Sequence, residues 1–68
     1  MKATYKKMWK LLIDRDMKQK DLSELTGISS FTITKMRNDD IVNVDTLVRI
    51  CEALDCRIED IVELVQTN

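Results

Sequence analysis

The stretch QKDLSELTGISSFTITKMRN, residues 19–38, decides the fold of this chain. Leu22 and Leu25 recur at the spacing of one helix face, and Gly27, the only glycine in the sequence, follows at once. A glycine there ends a helix where a left-handed residue meets no steric penalty. Ile28 then supplies an apolar plug for the turn, and Ser29 offers the side-chain oxygen of an N-cap. The pattern predicts two short helices, 18–26 and 30–38, joined by a tight turn.

The second of these helices has an unusual outer face. At about 3.6 residues per turn, Ile33 and Met36 fall on the inward side, and Ser30, Phe31, Thr34, Lys35 and Asn38 on the outward side. A solvated face carries Glu and Lys pairs and has no use for a phenylalanine at its centre. Hydroxyls near the first turn, an aromatic ring and a cation are tools for a DNA major groove. They can bond base edges, touch a thymine methyl and reach guanine or phosphate. Phe31 reads either as such a contact or as a residue that packs on a neighbouring loop or a partner protein.

Lys18, at the start of the preceding helix, opposes the macrodipole and is a poor cap. A phosphate docked on the free N–H groups there would reverse that sign, with Gln19 beside it as a further donor. The alternative is a poor cap tolerated in solvent.

Outward from this unit, residues 5–16 are predicted as a first helix, with Tyr5, Met8, Trp9, Leu12 and Ile13 on one face and Thr4 as cap. Asn43 caps a fourth helix, 44–54, whose stripe is Leu47, Ile50, Cys51 and Leu54. A fifth helix is predicted over 58–65. Its apolar residues Ile58, Ile61, Val62, Leu64 and Val65 sweep an arc broader than one core contact needs, which suggests a dimer contact through Ile58, Ile61, Val62 and Val65. The expected core comprises Trp9, Leu12, Ile13, Leu22, Leu25, Ile33, Met36, Leu47, Ile50 and Leu54.

Sixty-eight residues with no proline and one glycine make one small all-α domain, with a core spanning about residues 5–65. No apolar run is long enough for a bilayer, and charges scattered through MKATYKKMWK break up any signal-peptide core, so a cytoplasmic location is expected. Cys51 and Cys56 read as small buried thiols. With no histidine in the chain, no metal site, cofactor or catalytic residue is expected.

Charge is divided unevenly. Residues 1–38 hold nine Lys or Arg against four acids, a balance of +5, and residues 39–68 hold two against eight, −6. A chain so divided can turn a basic face toward a polyanion, although the halves can equally attract each other. Lys6 and Lys7 read as a solvated pair, with phosphate contact as the alternative.

With Gln19 opening the first motif helix, small Ser23 at the crossing, Gly27 in the turn and Ile33 and Met36 packing the second helix, the run resembles the helix-turn-helix of the Cro and phage-repressor family. NVDTLVRICEALDCRIEDIVEL, residues 43–64, resembles that family's closing helix pair. The resemblance implies a lambda-repressor-like five-helix bundle, usually dimeric, that binds operator DNA and often represses transcription. It implies Gln19 as a phosphate anchor, Ser30, Phe31 and Lys35 toward base edges, and Thr34 and Arg37 near the backbone. Lys18 and Lys20 add cations beside the motif. Three positions depart from the pattern: the family commonly has Ser or Thr at Lys18, a polar residue at Phe31, and glycine at Asp55.

The expected function is therefore sequence-specific binding of double-stranded DNA by a small transcriptional regulator, expected to be a repressor and a homodimer. The alternative is a protein-interaction module, antitoxin-like or accessory, that uses the same fold.

Overall fold

The computed structural model describes residues 1–67; Asn68, at the end of the predicted domain, lies outside the described residues. Four α-helices form, α1 Lys6–Asp14, α2 Gln19–Thr26, α3 Ser30–Arg37 and α4 Val44–Leu54. A single 3-10 turn follows at Ile58–Asp60. Two short strands, β1 Lys2–Thr4 and β2 Glu63–Val65, pair antiparallel with Ala3 opposite Leu64, which brings the two chain ends together.

The caps of α3 and α4 fall where their residue types place them. Ser29 Oγ accepts the Thr32 N–H at 3.3 Å, and Asn43 Oδ1 accepts the Thr46 N–H at 2.9 Å. Met8 and Leu12 of α1, Leu22 of α2, Ile33 and Met36 of α3, and Leu47, Ile50 and Leu54 of α4 meet in one core with Tyr5, Ile28 and Ile61. Within it α2 lies against both α3 and α4, and the 3-10 turn wedges between α1 and α4.

The predicted fifth helix does not exist. Asp60 Oδ2 accepts the Arg57 N–H at 3.1 Å and caps only one tight turn, after which the chain extends into β2. Ile58, Ile61, Val62 and Val65 are β-branched, a class that loses side-chain freedom in helices and fits an extended, half-buried backbone. The broad arc was the mark of a segment without helical period. Ile61 is fully buried, so it belongs to the core and not to a dimer contact. Val65 is half-buried on the sheet face opposite Leu64.

Other expectations also shift. Thr4 does not cap α1: it lies in β1, 4% exposed, with a hydroxyl that finds no hydrogen-bond partner among the described residues. The Asp39 carboxylate accepts the Tyr5 N–H instead, at 3.4 Å. Tyr5 also donates its hydroxyl to the Asp40 carbonyl at 2.9 Å, tying the start of α1 to the loop after α3. Burial pushes the Tyr5 phenol up from its ordinary range, and Asp39 and Asp40 add to that push against the opposing Val42 hydrogen bond. Ile13 and Leu25 are exposed and Trp9 is half-buried, because the end of α1 and the flank of α2 border open clefts. Among the described residues, no helix is long and apolar enough to cross a membrane, and no group of three or more metal-ligating side chains converges.

All four helices are followed by a left-handed residue: Asp16, Gly27, Asp39 and Asp55. For a residue with a Cβ this conformation costs about 1–2 kcal/mol, less for aspartate, and a carboxylate at a helix C-terminus also opposes the macrodipole. Asp55→Gly and Asp16→Gly are expected to stabilise the fold by about 0.5–1 kcal/mol each, net of glycine's extra backbone entropy. Asp39→Gly removes the acceptor of the Tyr5 N–H and is expected to give no gain. Urea denaturation of the three variants checks the contrast.

Candidate nucleic-acid interface

The geometry of the interface is set by the turn between α2 and α3. Gly27 adopts φ 75° and ψ 7°, and its N–H closes the helix on the Ser23 carbonyl at 2.9 Å. Ser23 Oγ donates to the Ile28 carbonyl at 2.6 Å, and the Ile28 N–H donates to Thr26 Oγ1 at 3.2 Å. Ile28 is 6% exposed and reaches the core. The turn is thus pinned by two hydroxyls and one buried side chain. The Ser23 hydroxyl satisfies a carbonyl that the turn would otherwise leave unpaired.

On α3, Ile33 and Met36 are buried, which turns Ser30, Phe31, Thr34 and Arg37 outward. Phe31 is 74% exposed, an apolar ring left largely in water. Thr34 donates its hydroxyl to the Ser30 carbonyl at 2.9 Å and keeps its lone pairs outward. Lys35 is half-buried, more covered than its place on the outward face of the helical repeat implies.

Two open clefts share one residue. The first, about 390 Å³, runs between α2 and α3 and is lined by Gln19, Lys20, Ser23, Glu24, Ser30 and Thr34 over Ile33. The second, about 450 Å³, is bordered by Trp9, Ile13, Met17, Gln19 and Arg37. Gln19 stands on the ridge between them. The structure therefore brings together Gln19, Lys20, Ser30, Thr34 and Arg37 along one continuous surface. Phe31, Lys35 and Lys18 line neither cleft; Lys18 is the exposed N-cap residue of α2. Its own N–H donates to Asp21 Oδ2 at 2.9 Å, which satisfies the N-cap amide.

The cations of this surface are uncommitted. Among the described residues the ion pairs are Lys7–Glu63, Arg49–Asp45 and Arg57–Glu59, all elsewhere. Lys7, one of the two lysines read as a solvated face, pairs with Glu63 at 3.7 Å.

Sequence reasoning missed Glu24, Trp9 and Met17. Glu24 lies one turn beyond Lys20 on the same face of α2, a spacing readable in the sequence once the cleft is known. Its exposed carboxylate adds a negative charge to a cleft that also holds the Lys20 ammonium.

Residues 7–67 match the family model of the Cro/C1-type HTH DNA-binding domain. The chain is similar to a solved structure, the transcriptional regulator VanUg in its Form II crystal, with a TM-score of 0.87 and 45% sequence identity over 91% of this chain and 83% of that one. No curated protein matches it. The chain belongs to the Cro/C1-type helix-turn-helix family of DNA-binding domains.

Ser23→Ala leaves the Ile28 carbonyl without its donor and is expected to cost about 1 kcal/mol in urea denaturation. Ser23→Thr, which keeps the hydroxyl, is expected to cost less than Ser23→Ala.

Proposed function

We propose that this Cro/C1-type domain acts as a small transcriptional regulator, a repressor, that reads double-stranded DNA by laying α3 along the major groove. The observation that carries the reading is the surface on which Gln19, Lys20, Ser30, Thr34 and Arg37 converge, with its cations unpaired and Phe31 bare beside it. The first-turn amides of α2 carry partial positive charge and no intrahelical partners, so a phosphate there gains N–H donors together with Gln19 and the Lys18 and Lys20 ammonium groups. That contact fixes register and carries no sequence information. Ser30 and Lys35 then meet base edges, Phe31 lies against a thymine methyl, and Thr34 and Arg37 hold the flanking backbone.

The domain works as a homodimer in this reading. Extents of 36 × 23 × 18 Å suit a two-fold pair whose recognition helices enter half-sites about 34 Å apart. An apolar groove of about 460 Å³ supports pairing; Ile41, Val42, Ile58, Val62 and Leu64 line it. Ile41 and Leu64 are among the most exposed apolar residues of the chain. Ile58 and Val62 keep their place in the contact, and Leu64 and Ile41 join them. Phe31 also supports a second reading, a docking point for a protein partner, because an exposed aromatic ring suits either role.

Fluorescence anisotropy of a labelled duplex pool across a salt series tests the proposal. Three phosphate-directed cations, Lys18, Lys20 and Arg37, give an expected slope of about −3 per protomer in log affinity against log salt. Arg37→Ala is expected to make that slope shallower by about 1, and Phe31→Ala to weaken binding only to particular sequences while leaving the slope in place. Absence of binding at low salt and high micromolar protein would overturn the DNA reading and favour the protein partner.

A further inference from the structure

Cys51 and Cys56 are unused by the interface, and the fold sets them side by side. Helix α4 ends in a left-handed turn at Asp55, φ 50° and ψ 55°. The Cys56 N–H reaches back to the Cys51 carbonyl at 3.1 Å, and the Asp55 N–H bonds the same carbonyl. This six-to-one closure folds the residue after the turn over the last turn of the helix, where the two side chains conventionally meet as an apolar pair. Here that pair is two thiols. Both are free and half-buried at the rim of the core, open to a small reagent yet held in place by packing.

We propose that Cys51 and Cys56 form a dithiol modification site that closes reversibly into an intramolecular disulfide across the end of α4, with a small-molecule disulfide as oxidant. The Cys51 thiolate attacks one sulfur of the oxidant, forming a mixed disulfide and releasing one thiolate. The Cys56 thiolate then attacks the Cys51 sulfur and expels the second. The protein loses two electrons and two protons, and the oxidant becomes two free thiols. Burial, together with the neighbouring Cys51 thiol and the Asp60 carboxylate, pushes the Cys56 thiol up against an opposing pull from Arg15. Cys56 thus suits the resolving role. Because the six-to-one hydrogen bond already folds Cys56 back over Cys51, closure asks for little backbone movement.

The location gives the bond a consequence. The Arg15 guanidinium donates to the Leu54 carbonyl beside this turn, and the chain leaving Cys56 carries the 3-10 turn and β2. A disulfide here fastens the C-terminal segment to α4 at its first residue. The recognition surface on α2 and α3 includes neither cysteine. Oxidation therefore tightens the scaffold and leaves the DNA-facing side chains as they are.

The test uses the full reduced chain incubated with oxidised glutathione, followed by intact mass under non-reducing, denaturing conditions and by thermal melting. The expected product is a single chain lighter by two hydrogens, reversed by dithiothreitol and melting roughly 15 °C higher, the rise expected for a ring of about six residues in a domain of this size. Cys51→Ser and Cys56→Ser, each a near-isosteric change, are expected to take up one glutathione and show no such rise. Two glutathione adducts on the unaltered chain, disulfide-linked dimers, thiols that stay reduced in excess oxidant, or an oxidised form that melts no higher would each overturn the proposal.

Discussion

The left-handed turn at Gly27 governs the rest of this molecule. It reverses the chain between two eight-residue helices, and Ile28, sunk in the core, fixes the angle at which α3 leaves α2. Ser23 and Thr26 hold the turn's carbonyl and amide groups, so the reversal leaves few polar groups unpaired. Helices this short are marginal alone, and their stability comes from the face each buries. Once Leu22, Ile33 and Met36 are inside, the outward residues of α3 have no freedom to choose their direction. Site and core are set by the same turn.

The rest of the fold supports that unit from behind. Helix α4 backs α2, and the 3-10 turn locks α4 to α1. The ends meet in a three-residue ladder, and a two-stranded ribbon of that length is not stable by itself. It holds because Thr4 of β1 is itself buried, because Ala3 packs against the core, and because Tyr5 anchors the adjoining start of α1 to the loop after α3. The acidic residues of the second half fall largely on this supporting side, and Glu63 takes up Lys7 there. Lys18, Lys20, Lys35 and Arg37, on or beside α2 and α3, enter none of the ion pairs among the described residues, so a slightly acidic chain keeps four uncommitted cations around its helix-turn-helix.

Much of this was legible in the sequence where the signal is local. Gly27, Ser29 and Asn43 each specify a backbone event within three residues of themselves, and α2, α3 and α4 end within a residue of expectation. The C-terminal segment was misread because Ile58 to Val65 is an apolar run too short for period to separate helix from strand. Its partner, Lys2 to Thr4, lies at the far end of the chain, and pairing between distant three-residue segments leaves no local mark. Lys35's partial burial and Glu24's place in the cleft were hidden for a related reason. Both depend on how closely two helices approach, a distance that spacing along one helix does not encode.

The central claim is that α2 and α3 together form a DNA-reading surface, and backbone amide NMR during titration with a short duplex tests it most directly. The account requires the amides of Gln19 to Asp21 and of Ser29 to Arg37 to shift first and furthest, with β1, β2 and the end of α4 nearly silent. Shifts centred on the apolar groove at Ile41, Ile58 and Leu64, or spread evenly over every lysine, would contradict it.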